Sequence, residues 1–134
     1  MIVDSSALVA IVFKEPGFET LVDVLTQSSA VGASTPTLLE TGIVLTARLR
    51  RNAGTFVRRL MQELEIQPVP FGELHWETAL DAFARYGKGR HPAGLNFGDC
   101  MSYATAQLAQ QPLLYVGDDF SKTDVRRAEL LDRR

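Results

Sequence analysis

The chain has a single cysteine, Cys100, and only two histidines, His75 and His91. One cysteine excludes an internal disulfide, and no CxxC pair is present to bind zinc. Cys100 is expected to be a small buried residue on a helix. Neither histidine is placed in the sequence to act as its base, so a thiol nucleophile is not expected. Reduced cysteine fits a cytoplasmic setting. There is no excess of positive charge: Lys and Arg total 14 against 16 Asp and Glu, a net charge of −2. Nucleic-acid binding by overall charge is thereby excluded, and any such contact must come from a local basic patch. No apolar run reaches the roughly 18 residues a membrane span requires. Met1-Ile2-Val3-Asp4 has no basic region before an apolar run, so it does not read as a signal peptide. Internal repeats and low-complexity segments are also missing.

What is present is enough for one compact domain over residues 1–134. Apolar residues make up 46% of the chain and charged residues 22%. Met1–Val3 is a short apolar run ending at Asp4 and reads as a buried strand. Ser5–Phe13 and Gly17–Gln27 read as helices, the second with Phe18, Leu21, Val22 and Leu25 at helical spacing. Ala30–Ala33 is a short strand. Ser34, Thr35 and Thr37 around Pro36 signal the start of a helix running to about Arg51. Asn52 and Gly54 break it before a helix over Thr55–Leu64, with Phe56, Leu60 and Leu64 on one face. Ile66–Phe71 holds two prolines and reads as an edge strand. Glu73–Tyr86 is helical, with Leu74, Ala79, Leu80 and Phe83. Gly87–Asn96 is a loop, Phe97–Gln110 a helix and Pro112–Val116 a strand. Asp124–Arg134 reads as a short strand or helical turn followed by a polar tail. Strands alternating with helices imply an α/β domain with a central, mainly parallel sheet flanked by helices. In such sheets, functional groups gather beyond the C-terminal strand ends.

Asp4 and Asp119 both sit where a predicted strand ends. Asp4 follows the first strand, where it fits an ordinary N-cap and equally a carboxylate projecting into the crevice. Glu40 lies on or beside the apolar stripe of Leu39, Ile43, Val44 and Ala47. A buried glutamate there is costly unless it is paired or metal-bound. Asp99 falls in the first turn of its helix, after the capping residue Asn96, which suits the helix dipole. Asp118 and Asp119 follow the last strand as a turn or as ligands, and extended neighbours point opposite ways. Carboxylates brought together resist joint ionisation, and a divalent cation removes that conflict. Oxygen-only ligands favour Mg²⁺ or Mn²⁺. That chemistry hydrolyses phosphodiesters and needs no Ser-His-Asp triad.

Several segments resemble the PIN-domain nucleases, specifically the VapC toxins of bacterial VapBC toxin–antitoxin pairs. They are Met1 to Ala10, Leu38-Leu39-Glu40-Thr41, the long run Tyr86 to Cys100 with Asn96-Phe97-Gly98-Asp99, and Gly117-Asp118-Asp119-Phe120 with Thr123-Asp124. They span nearly the whole chain in order. The resemblance implies the PIN fold and endoribonuclease activity dependent on Mg²⁺ or Mn²⁺. It implies Asp4, Glu40 and Asp99 as core acids, and Asp119, which directly precedes Phe120, as the fourth, with Asp118 an accessory. Asp4 and Asp99 are then expected to hold the metal, and Glu40 and Asp119 to complete the shell. Glu40 is expected to orient the attacking water, leaving 5′-phosphate and 3′-hydroxyl ends. A VapB-type antitoxin partner and a homodimer are also implied.

Lys88, Arg90 and His91, in the loop before Asp99, are candidates for guiding RNA phosphates. Arg48, Arg50, Arg51, Arg58 and Arg59 read as a solvated helix face. Trp76 and Phe83, seven apart on one helix, are expected in the core or a dimer contact, and Tyr115 in the core. His75 receives no catalytic role. A receiver-like signalling domain also clusters acids at strand ends, but would need its acid pair after the first strand. A non-catalytic PIN-like interaction module is the remaining alternative.

Overall fold

The computed structural model describes residues 1–129. Its elements run β1 (Ile2–Val3), α1 (Ser5–Val12), α2 (Phe18–Gln27), β2 (Val31–Ser34), α3 (Thr35–Leu49), α4 (Gly54–Glu63) and β3 (Ile66–Val69). They continue with α5 (Glu73–Tyr86), α6 (Phe97–Ala109), β4 (Leu113–Leu114) and a 3₁₀ turn at Phe120–Lys122. The four strands form one sheet in the order β3-β2-β1-β4, and every pairing is parallel. The expected α/β architecture with a parallel sheet between helices is therefore the one observed.

The register explains why such short strands suffice. Ile2 pairs with Leu113 and Val3 with Leu114. Alternation sends Ile2 and Leu113 to one face, where they join Leu95, Tyr103, Tyr115 and Phe120. Val3 and Leu114 go to the other, with Leu8, Leu21 and Leu25 of α1 and α2. Parallel strands buried on both faces read as continuous apolar runs. Tyr115 and Cys100 are buried as expected. Pro68 lies in β3 at the sheet edge, where its missing N–H costs no interior ladder bond. At the other edge, Leu113 N–H donates to Arg126 O and Ala128 N–H to Leu113 O. The tail after Asp124 thus adds one parallel bridge. The polar tail expected at its end, residues 130–134, lies outside the described residues. Among the described residues, no helix is long and apolar enough to cross a membrane.

Two helix faces differ from expectation. On α3 the buried positions are Thr37, Thr41 and Leu45, whereas Leu39 and Ile43 are 65% and 59% exposed. Burial there goes to threonines whose hydroxyls are already bonded: Thr41 Oγ1 donates to the Thr37 carbonyl at 2.8 Å. A hydroxyl satisfied within its own helix can enter a core without an unpaired donor. Glu40 is still beside the buried stripe, but through Thr37 and Thr41. On α5 only Ala82 is fully buried. Trp76 is 53% exposed and Leu74, Leu80 and Phe83 also reach solvent, so the core placement of Trp76 and Phe83 does not hold. Phe56 on α4 is exposed too, while the five arginines from 48 to 59 are solvated as expected. Apolar type records what favours burial, without recording whether this chain supplies the cover.

Candidate active site

Asp4 extends β1 by one residue, its N–H donating to Leu114 O at 2.9 Å. It is also the N-cap of α1, so its structural and functional readings coincide. Its carboxylate is buried, 3% exposed, and held by three donors. Ser6 N–H and Ser6 Oγ donate to Oδ2 at 3.1 and 2.6 Å, and Ser102 Oγ donates to Oδ1 at 2.6 Å. Charge-assisted bonds of this kind offset the cost of burying a carboxylate.

Glu40 comes from α3, which begins at the end of β2. Ser34 caps that helix, accepting from Thr37 N–H at 3.1 Å, and Pro36 sits in its first turn. Ser5 Oγ donates to Glu40 Oε1 at 2.7 Å. Burial pushes the Glu40 carboxyl above the usual range, the Ser5 bond opposes this, and the neighbouring Asp4 charge adds to it. The side chain lies against the first turn of α6, at Gly98.

Asp99 opens α6 in a reciprocal cap with Asn96: Asp99 N–H donates to Asn96 Oδ1 at 2.9 Å and Asn96 N–H to Asp99 Oδ2 at 3.1 Å. Its carboxyl is pushed up to about 7. Burial is the largest cause; the backbone bond from Asn96 opposes it; Asp4, Asp119 and Glu40 each raise it further by their charge. Asp119 follows β4 after Gly117, whose φ of +99° turns the chain, and is fixed by its buried neighbour Phe120. Asp118 is exposed, is not among the groups acting on Asp99, and accepts through its carbonyl from Ser121 in a tight turn.

Asp4, Glu40, Asp99 and Asp119 therefore come together from four separate places in the chain, near the C-terminal strand ends where sheet order reverses between β1 and β4. They do not form a finished cage. Among the described residues, no three His, Cys, Asp or Glu side chains are disposed to hold one ion. Asp4 is turned to Ser6 and Ser102, Glu40 to Ser5, and Asp99 back to Asn96.

The expected basic residues lie on the loop between α5 and α6. Lys88 and Arg90 are exposed and His91 half-buried. Their loop is clipped by Lys88 N–H to Leu95 O at 2.9 Å and by Ala93 N–H to His91 Nδ1 at 3.0 Å. No basic group is among those acting on Asp99 or Glu40. Asp124 serves the fold, accepting from Tyr103 Oη and pairing with Arg85 at 3.4 Å. Sequence reasoning missed Ser5, Ser6, Ser102 and Gly98. Two serines directly after Asp4, and a glycine in a helical turn where alanine is favoured, were the available signals.

Comparison with known proteins places this geometry. The PIN domain family model matches residues 1–126. Ribonuclease VapC36 of Mycobacterium tuberculosis is 51% identical over 126 residues, covering 93% of this chain and 91% of its own. Ribonuclease VapC28 of the same organism is 42% identical over 135 residues and covers both chains completely. Ribonuclease VapC of Mycolicibacterium smegmatis is 41% identical, covering 93% and 97%. A crystal structure of M. tuberculosis VapC20, described as a Sarcin-Ricin loop cleaving toxin, superposes with a TM-score of 0.74. It covers 92% of this chain and 95% of its own at 18% identity, a likeness of fold. A parallel four-strand sheet with acids at its C-terminal edge, the family match over residues 1–126 and relatives at 41–51% identity agree, and the chain belongs to the VapC family of PIN-domain ribonucleases.

Proposed function

We propose that this chain is a metal-dependent endoribonuclease, the toxin of a VapBC-type pair, with its active site at Asp4, Glu40, Asp99 and Asp119. The observation that carries the reading is the position of Asp99 beside Gly98, against which Glu40 packs; burial pushes the Asp99 carboxyl up to about 7, and the charges of Asp4, Asp119 and Glu40 raise it further. A fold does not gather four carboxylates without a compensating charge at no cost. The donors are all oxygen, with no cysteine or histidine among them, which fits Mg²⁺ or Mn²⁺. Asp4 and Asp99 would hold the ion and Glu40 and Asp119 complete its surroundings. Bound there, it would supply charge neutralisation on the scissile phosphate.

The chain's own residues do the rest. Ser5 fixes one oxygen of Glu40, leaving the other to orient water for in-line attack on phosphorus. The products are then a 5′-phosphate and a 3′-hydroxyl. Lys88, Arg90 and His91, on their clipped loop, would steer the RNA backbone. The relatives' names as ribonucleases support RNA as the substrate class. A cognate VapB-type antitoxin and self-association, in the cytoplasm, complete the reading. The exposed apolar residues Leu39, Ile43, Trp76, Leu80 and Phe97 support protein partners.

The test is cleavage of a mixed small-RNA pool by purified protein with Mg²⁺, Mn²⁺ or EDTA, beside Asp4→Asn and Asp99→Asn. Cleavage that needs the ion and is lost in both variants is expected. Cleavage unaffected by EDTA, or 2′,3′-cyclic ends on the products, would overturn the scheme.

A further inference from the structure

Three hydroxyls lie inside the protein between α3 and α6: Ser34, Thr37 and Ser102, all essentially inaccessible to solvent. Their contacts are Ser34 Oγ to Thr37 Oγ1 at 2.7 Å, Thr37 Oγ1 to Ser102 Oγ at 3.2 Å, and Ser102 Oγ to Asp4 Oδ1 at 2.6 Å. Each hydroxyl has one hydrogen to give, and a carboxylate has none. Ser102 must therefore donate to Asp4. Its hydrogen is then spent, so Thr37 donates to Ser102. Thr37 is spent in turn, so Ser34 donates to Thr37. Ser34 Oγ is itself the acceptor for the Thr37 backbone N–H in the first turn of α3. The chain of bonds runs one way, from the α3 N-terminus to Asp4.

The same accounting applies to Asp4. An ionised carboxylate offers about four acceptor positions, two on each oxygen. Ser6 N–H and Ser6 Oγ fill both on Oδ2. Ser102 fills one on Oδ1. One position is left, and it is on the oxygen the relay holds. We propose that Ser34, Thr37 and Ser102 are positioning residues that hold Asp4 so that Oδ1 alone is presented to a divalent cation. The proposal rests on the metal-site reading above. Apolar residues of similar size at 37 and 102 would remove both partners of the Thr37–Ser102 bond together, leaving Ser34 Oγ its backbone donor and Asp4 its two Ser6 donors, so a purely structural role would show in stability. A relay that orders a metal ligand instead acts on affinity.

The experiment measures Mn²⁺ binding by calorimetry for the wild type, Asp4→Asn, Thr37→Val, Thr37→Ser and Ser102→Ala, with metal-free melting temperatures and circular dichroism for each. Thr37→Val keeps the shape and removes the hydroxyl; Thr37→Ser keeps the hydroxyl. We expect Thr37→Val and Ser102→Ala to weaken Mn²⁺ binding about tenfold or more, with Thr37→Ser close to wild type. In RNA cleavage, kcat should fall while KM holds. If Thr37→Val does not fold, Ser102→Ala carries the same test. Wild-type affinity in the folded Thr37→Val or Ser102→Ala protein, with binding lost in Asp4→Asn, overturns the relay and leaves the metal site standing. Loss of affinity in Thr37→Ser equal to that in Thr37→Val also overturns it, since the methyl group and not the hydroxyl would then matter. No Mn²⁺ binding by the wild type overturns the metal site itself, and the relay with it.

Discussion

Gly98 leaves room for Glu40. A Cβ at position 98 would lie 2.7 Å from Glu40 Cδ and Oε1, and closer still to Oε2, nearer than such atoms pack. The neighbour is the end of a side chain, so it would swing aside and the backbone would stay. Gly98→Ala should therefore separate stability from activity. Alanine favours the helical turn by about 1 kcal/mol over glycine, so the melting temperature should hold or rise. Glu40 would leave the crevice, and displacement of a reacting group by about 1 Å can cost roughly 100-fold in rate. Thermal melts beside cleavage rates check this. A variant that cuts RNA as fast as the wild type would show that Glu40 need not stand where it does.

Asp99 gives the metal-free protein a distinct pH dependence. Its carboxyl is raised from the ordinary aspartate value of 3.8 to about 7 on folding. Between those values the folded state holds a proton that the unfolded state has released. Stability from this group is thus fully present below about pH 4 and is lost as pH rises to about 7. In EDTA, the wild type should lose melting temperature relative to Asp99→Asn on going from about pH 5 to about pH 7.5. Differential scanning calorimetry of the two proteins across that range checks it. Parallel pH curves would mean that neither burial nor the neighbouring acids raise the Asp99 carboxyl in the folded protein.

The strand ends were legible in the sequence because a buried parallel strand is a short apolar run with an abrupt stop. Ile2-Val3 stops at Asp4, and Leu113-Leu114-Tyr115 gives way to Gly117-Asp118-Asp119. Acids at such stops are conspicuous, so Asp4 and the pair Asp118-Asp119 could be nominated from the strands; Glu40 stood out beside an apolar helix stripe, and Asp99 through the segment that resembles the family. The hydroxyls were not legible. Serine and threonine occur on every kind of surface, and only the packing of α6 over β1 makes Ser102 a neighbour of Asp4, 98 residues away. The faces of α3 and α5 misled for the opposite reason. Leu39, Ile43 and Trp76 have the character of core residues, and no sequence rule separates a side chain covered by its own chain from one suited to a partner.

The choice of Asp119 over Asp118 is open to a direct test. Both are exposed, and their adjacency makes them equivalent to any argument from composition. Their surroundings differ. Asp119 acts on Asp99 through its charge and Asp118 does not, while Asp118 uses its carbonyl to close the turn to Ser121, accepting from N–H at 3.2 Å and from Oγ at 2.6 Å. Neither bond involves the Asp118 carboxylate, so Asp118→Asn should leave cleavage within about twofold of wild type, as for an ordinary surface change. Asp119→Asn should lower cleavage by about tenfold or more if its carboxylate helps to hold the cation. It should also lower the midpoint of Asp99, because a like charge beside that carboxyl is removed. Carbon-detected NMR titration of Asp99 in the metal-free protein reads this second effect without any RNA or metal present. A midpoint that moves in Asp118→Asn and not in Asp119→Asn would exchange the roles of the two residues.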